Sequence, residues 1–371
     1  MQLCFAPMDG ITNCATRLIT KKIFDRYKNQ NDTLQLRTEF MNADGFIINP
    51  SKVVKHLMSV RDVWQWPSLR GSEADETINN KHFTFTKPIA QIYWGNAKTL
   101  IETAKILVEK YADDFSGIEL NTWCPSNTVM KCGWWSDMLK HRPETLAIIK
   151  SLSEIVKSTK KLTFSVKSRA GLNEEDKPEQ LQFLTQIAPF CDLISIHGRT
   201  LKQLYSWEAD FSFIQQVKSK VSCPIIANGG ITSYQQAEKI SQERDFDALM
   251  IGQGAIGNPW VFTLHEPNLE EKIEVSKEHL EMMIACELWF ENWGEKVEDY
   301  RFNQPKKSDL EFLKKEINPE AEYRSVIEFR KYLFQYIKGI HNSREWKQKI
   351  IPVKTYRDLM EKLRNLQNLD K

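Results

Sequence analysis

Between Leu3 and Gly252, eight short apolar and largely β-branched runs alternate with segments of helical periodicity. The runs are Leu3–Ala6, Leu34–Phe40, Ile89–Tyr93, Gly117–Asn121, Leu162–Lys167, Leu193–His197, Pro224–Asn228 and Ala248–Gly252. Strands that alternate with helices imply parallel pairing with crossover connections. Eight such units predict a closed (β/α)8 barrel, the TIM barrel, rather than a doubly wound open sheet. The second run is the most polar of the eight. Between the runs, Lys98–Tyr111 places Leu100, Ala104 and Leu107 at helical spacing, Pro143 and Glu144 open another helix, and Tyr234–Ser241 forms a third. Two polar stretches, Ser68–Lys87 and the acidic Asn173–Lys177, read as loop insertions that act as lids or are simply solvated.

Beyond Trp260 the strand-like alternation stops and helical periodicity takes over. The chain of 371 residues therefore divides into a barrel at 1–262 and an all-α helical domain at 263–371. Charge follows the same division. Residues 321–371 hold 12 Lys/Arg against 6 Asp/Glu, a net of +6, whereas the whole chain is +2, leaving −4 for residues 1–320. A tail face carrying Arg324, Arg330, Lys331, Lys338, Arg344 and Lys347, interleaved with Tyr332, Tyr336 and Trp346, suits phosphate contact and base stacking; it suits an ordinary solvated helix surface equally.

Seven cysteines occur, an odd number with no Cys-x-x-Cys pair, so neither a disulfide framework nor a structural metal site is expected and a reducing compartment is. The first residues enter an apolar strand directly and lack a secretory leader pattern. No apolar stretch approaches the roughly 18 residues of a membrane span. A cytoplasmic monomer that makes no membrane contact is the expectation.

Barrel chemistry sits at the C-terminal ends of the strands. There this chain places Pro7-Met8, Glu39, Gln91, Asn121 with Cys124, Lys167, His197, Asn228-Gly229-Gly230 and Gly252-Gln253-Gly254. Any one of these is ordinary as a loop residue. The same pattern at every strand is not. Glycine loops after the seventh and eighth strands form the usual phosphate site of this fold, because backbone N–H groups can then approach an anion. Flavin mononucleotide (FMN) carries such a phosphate. Its ring also needs hydrogen-bond partners and a cation, which Gln91, Lys167 and His197 are placed to supply.

The segments Ala6-Pro-Met-Asp-Gly10, Glu119-Leu-Asn-Thr-Trp-Cys-Pro-Ser126, Ser165-Val-Lys-Ser-Arg-Ala-Gly171, His197-Gly-Arg-Thr200, Ile226-Ala-Asn-Gly-Gly-Ile231 and Ile251-Gly-Gln-Gly-Ala255 resemble, in order, the motif series of the tRNA-dihydrouridine synthases. The tail is more loosely similar, through Phe329–Gly339. Details around Glu39, Cys124 and His197 look closest to the bacterial C-type subgroup, which implies a D-loop uridine as target. The resemblance implies FMN held by Pro7, Met8, Asp9, Gln91, Lys167, His197, Asn228, Gly229, Gly230, Gly252 and Gln253. It implies NADPH as reductant, hydride delivery to C6 of uracil and protonation of C5 by Cys124. Asn121, Arg169, Arg199 and Glu39 would meet the target nucleotide, and Arg330, Lys331 and Lys338 the rest of the tRNA. The base must leave its stack to reach the flavin. As a proton donor, Cys124 must stay a thiol, and a neighbouring anionic flavin favours that form.

Three departures stand out. Trp123 replaces the glycine usual before the cysteine, Lys131-Cys-Gly-Trp-Trp-Ser136 replaces a glycine-rich stretch, and Gln253 replaces a phosphate-binding arginine. The tryptophans would form a stacking platform or narrow the pocket, and an uncharged Gln253 would lower flavin affinity. Two other functions fit parts of the pattern. One is an FMN barrel oxidoreductase acting on a small molecule, as in dihydroorotate dehydrogenases. The other is a non-catalytic RNA-binding relative.

Overall fold

A computed structural model of the chain describes residues 1–53, 87–93, 96–122, 138–293 and 319–367. By packing, these fall into two units. The first holds Met1–Thr12 and the described parts of Gln30–Ser59 and Thr86–Gly254; the second holds Asn13–Asn29 and the described part of Ala255–Lys371.

The first unit is a parallel sheet of nine strands: β1 (Gln2–Phe5), β2 (Thr33–Gln35), β3 (Arg37–Asn42), β4 (Ile89–Tyr93), β5 (Gly117–Asn121), β6 (Thr163–Arg169), β7 (Leu193–His197), β8 (Ile225–Asn228) and β9 (Ala248–Ile251). Their order is β2-β1-β9-β8-β7-β6-β5-β4-β3. Only Leu36 separates β2 from β3, so the two ends of the sheet are one continuous segment and the sheet closes on itself. β2 pairs with β1 while β3 pairs with β4. The polar second run is thus one barrel strand broken in the middle, and the expected eightfold barrel is the observed fold.

Helices α2 (Ala43–Ile48), α3 (Pro50–Val53), α4 (Ala97–Tyr111), α5 (Arg142–Lys157), α6 (Lys177–Ile187), α7 (Phe211–Lys218) and α8 (Tyr234–Glu243) belong to this unit. Their starts are dictated locally. Asn96, Asp210 and Ser233 each accept a hydrogen bond from the backbone N–H three residues on, and Pro143 occupies the first turn of α5, where no amide donor is missed. The apolar stripe Leu100, Ala104 and Leu107 of α4 is buried, as is Ile149, Leu152 and Val156 of α5. The acidic stretch before α6 is tied down by ion pairs: Lys177 meets Glu174 and Asp210, and Arg142 meets Asp176.

The barrel interior has two halves. Cys4, Ala6, Ile226, Ala248 and Met250 form an apolar cluster, against which Leu193 packs. Opposite in character is a buried ion pair, Arg37 Nε to Glu119 Oε1 at 3.1 Å, both side chains fully buried. Ser195 Oγ donates to Glu119 Oε2 at 3.2 Å, and an Arg37 amino group donates to Ser195 Oγ at 3.3 Å.

The second unit contains α1 (Cys14–Tyr27), α9 (Leu269–Trp293), α10 (Pro319–Tyr336), α11 (Ser343–Ile350) and α12 (Tyr356–Gln367). The sequence places α1 next to the first barrel strand, yet by packing it groups with the tail helices, as do residues 255–262. Its buried centre is His279 of α9. The ring nitrogens lie 3.1 Å from Thr16 Oγ1 and 3.3 Å from Tyr336 Oη, with Phe329 and Tyr332 against the ring. Burial, with a smaller contribution from Lys331, pushes the His279 pKa down to about 3.

This core corrects one expectation. Tyr332, Tyr336 and Trp346 are all buried and cannot stack on bases. The basic residues between them behave differently: Arg324, Lys338 and Arg344 are exposed. Among the described residues, no helix is long and apolar enough to cross a membrane.

Candidate active site at the strand ends

Register brings the expected residues to one rim. Asn121 pairs with Lys167, Arg169 with His197, His197 with Asn228 and Asn228 with Met250. Side chains of a strand alternate in direction, so Lys167 and Arg169 share a face, as do Glu119 and Asn121.

Gln91 is fully buried beneath this rim. Its amide nitrogen donates to Glu119 Oε1 at 2.8 Å, and its carbonyl accepts from Asn121 Nδ2 at 3.4 Å. The buried Arg37–Glu119 ion pair therefore connects through Gln91 to Asn121. Sequence reasoning missed Arg37 and Glu119. A signal existed: Glu119 stands two residues before Asn121 and must face the same way.

His197 sits among three cations. Burial, then Arg169, Lys167 and Arg199, push its pKa down to about 2, so the imidazole is neutral at physiological pH. An amino group of Arg199 lies 3.4 Å from His197 Nε2. Arginine only donates, so Nε2 accepts and the proton sits on Nδ1. Arg169 is buried and donates to the carbonyls of Thr200 and Leu204, at 3.2 and 3.3 Å. It holds the β7–α7 loop in place, with the Tyr205 ring 5.8 Å from its guanidinium.

The two glycine loops meet beside this cluster. Asn228 is buried and donates from Nδ2 to the Met250 carbonyl at 2.8 Å. Gly229 has φ +130°, and a Cβ there would lie 2.6 Å from Ala209 Cβ and 2.9 Å from His197 Cδ2. Arg199 reaches over the neighbouring Gly230, its guanidinium nitrogen 3.5 Å from where a Cβ would stand. Gly254 packs on the β8 loop so closely that a Cβ would lie 2.9 Å from Thr232 Cα. Gly252 faces Ala6 and Met8 in the same way, at 3.4 and 3.5 Å.

The remaining residues are placed as follows. Pro7 is buried, Met8 half-buried and Asp9 exposed; Gln253 is exposed at the start of a short 3-10 turn. Glu39 is buried on β3. Arg330 donates to the Val353 carbonyl at 2.6 Å and Lys331 lies over the Tyr332 ring, so both serve the second unit's own packing, while Lys338 is exposed. Cys124, Cys132, Trp123, Trp134 and Trp135 lie outside the described residues.

The rim of this closed parallel barrel thus combines a neutral histidine, three cations and two glycine-containing loops, chemistry of the kind that suits an anion. Of these glycines Gly230 alone is open but for an Arg199 nitrogen, whereas Gly229, Gly252 and Gly254 are packed against neighbouring residues.

The family model of dihydrouridine synthase (Dus) matches residues 4–370, and the chain belongs to this family. A probable tRNA-dihydrouridine synthase of Rickettsia conorii is 33% identical over 180 residues, covering 45% of this chain and 53% of that protein. tRNA-dihydrouridine synthase B of Escherichia coli K12 is 34% identical over 174 residues, 46% of this chain and 51% of that protein. A probable tRNA-dihydrouridine synthase of Aquifex aeolicus is 25% identical over 277 residues, covering 74% and 76%. The chain spans little more than half the length of the first curated relatives that it matches. The relatives named by subtype are B-type, where the motifs look closest to the C-type. A solved structure of morphinone reductase covers 73% of this chain and 89% of its own, at 12% identity and a TM-score of 0.40.

Proposed function

We propose that the chain reduces a uridine of tRNA to 5,6-dihydrouridine, with FMN as cofactor and NADPH as reductant, as a monomer in the cytoplasm. The observation that carries this reading is the convergence of Lys167, Arg169 and Arg199 on neutral His197 beside the Gly229-Gly230 loop.

FMN would be held by Pro7, Met8, Asp9, Lys167, His197, Asn228, Gly229, Gly230, Gly252 and Gln253, with Gln91 under the ring. When bound, it supplies the hydride for C6 of the uracil. Lys167 and Arg199 offset negative charge at the rim. His197, neutral and with its proton on Nδ1, does not add a fourth positive charge. Asn121 is oriented by its bond to Gln91, which supports a role in aligning the uracil edge. Cys124 delivers the proton to C5, Glu39, Arg169 and Arg199 line the nucleotide's approach, and Arg330, Lys331 and Lys338 contact the tRNA body. The barrel, residues 1–262, does the chemistry and residues 263–371 hold RNA.

The test compares the purified protein with Cys124→Ala. Wild type should carry one flavin, oxidise NADPH and form dihydrouridine in tRNA from cells lacking the gene. Cys124→Ala should keep the flavin and lose product. Unchanged product formation would remove Cys124 from the mechanism. A colourless wild-type protein that binds tRNA and forms no product would overturn the reading.

A further inference from the structure

The loop after β7 exposes three large side chains beside the cation cluster: Leu204 at 46%, Tyr205 at 53% and Trp207 at 69% of full exposure. Exposed aromatics are common on mobile loops, but this loop is heavily bonded. Leu201 and Lys202 donate backbone N–H groups to the carbonyls of Gly171 and Leu172, at 2.9 and 3.0 Å. Thr200 donates to Gln203 Oε1 at 2.7 Å, and Gln203 in turn donates to Glu174. Arg169 ties the Thr200 and Leu204 carbonyls, and Arg199 Nε donates to the carbonyl of Trp207 itself. Leu204 is even held at φ +49°, a conformation that costs a branched residue energy. A loop held this firmly nevertheless presents its apolar side chains to solvent.

Tyr205 is turned toward the rim, its ring 6.3 Å from that of His197. Trp207 is the more exposed, and nothing in the rim chemistry uses it. Its backbone is pinned by the arginine that also overhangs Gly230. An exposed indole on a residue whose backbone carbonyl accepts from a guanidinium offers both a ring for a base and a cation for a phosphate. In the tail, Phe329, Tyr332, Tyr336 and Trp346 are buried and Tyr323 is exposed, at 41% against 69% for Trp207.

We propose that Trp207 is a stacking platform for an unpaired base of the RNA beside the nucleotide that enters the barrel, with Arg199 meeting the adjoining phosphate. This rests on the tRNA reading above and deepens it. The platform captures single-stranded RNA through one base face, so it tolerates sequence and discriminates against duplex.

The test uses the flavin-loaded full chain and two probes, a 12-nucleotide oligouridylate and an RNA duplex of equal phosphate count. Trp207→Ala should weaken oligouridylate binding about tenfold, the loss of one base stack. Trp207→Phe should recover most of that loss. Duplex binding and flavin content should not change. With tRNA as substrate, Trp207→Ala should raise KM and leave kcat within about twofold. Equal oligouridylate affinity for wild type and Trp207→Ala would overturn the proposal, as would equal losses on both probes. A Trp207-dependent affinity in a protein that makes no dihydrouridine would leave the platform standing and sink the activity instead.

Discussion

Gln91 Nε2 donates to Glu119 Oε1 at 2.8 Å inside the barrel, and this single bond fixes the polarity of the rim above it. A carboxylate only accepts, so the Gln91 amide must turn its nitrogen down and its oxygen up. Asn121 then turns its nitrogen toward Gln91. Glu119 is itself held by Arg37 and Ser195. Removing one partner of a fully buried ion pair leaves an uncompensated charge. Glu119→Leu should therefore destabilise the protein by roughly 3–5 kcal/mol. The double variant Arg37→Met/Glu119→Leu should recover much of that. Urea unfolding of both variants checks this; equal losses would mean that the pair is not what stabilises the interior.

The Gly229-Gly230 loop separates two kinds of glycine. At Gly229 an added methyl would strike Ala209 and the His197 ring; at Gly230, φ +70°, the nearest atom is an Arg199 nitrogen 3.5 Å away. Gly229→Ala should displace His197 and weaken FMN binding at least tenfold. Gly230→Ala should cost about 1–2 kcal/mol of stability through backbone strain, with a smaller change in FMN affinity. Flavin titration by fluorescence quenching distinguishes them, and indistinguishable affinities would count against His197 as a flavin neighbour.

How far this site was legible depends on which physical signal each part leaves in the sequence. Barrel strands buried on both sides are short, largely apolar runs and were visible as such, with the second, Leu34–Phe40, the most polar, and the polar residue ending each run marked the rim. The break at Leu36 left no mark, because a one-residue interruption changes pairing rather than composition. Arg37 and Glu119 were illegible as partners: 82 residues separate them, and only closure of the ring brings them together. The tail aromatics were misread although their spacing carried the answer. Phe329, Tyr332, Leu333 and Tyr336 recur at three and four residues, which is the buried stripe of a helix. The grouping of α1 with the tail had no local signal, since an apolar stripe does not name what covers it.

The tail's aromatic and basic residues should therefore fail in different ways. Tyr336→Ala and Phe329→Ala open the core around His279 and should cost roughly 3–5 kcal/mol each. Arg324→Ala, Lys338→Ala and Arg344→Ala should leave unfolding unchanged within about 0.5 kcal/mol, because these side chains are exposed. If the helical unit holds tRNA, the triple charge variant should instead reduce the salt dependence of tRNA binding, by up to about 0.9 in slope for each phosphate no longer neutralised. Filter binding across a salt series reads the slope; an unchanged slope would place the tRNA elsewhere.

Among the described residues, two buried histidines, His197 and His279, are held neutral and contribute to the response to acid. The folded pKa of His197 is about 2 and that of His279 about 3, against 6.5 for a free side chain. Below pH 6.5 the unfolded chain therefore binds protons that the folded chain refuses, and stability falls as pH drops. Above 6.5 both states are neutral and neither ring contributes a slope. Each histidine adds up to about 1.4 kcal/mol per pH unit once well below 6.5. His279→Gln belongs to the second unit and keeps a polar group for Thr16 and Tyr336. It should be less stable than wild type at pH 8 but show a shallower loss between pH 6.5 and 5. Denaturant midpoints across that range test the sign directly: parallel pH profiles for the two proteins would mean that His279 is not held neutral by the core.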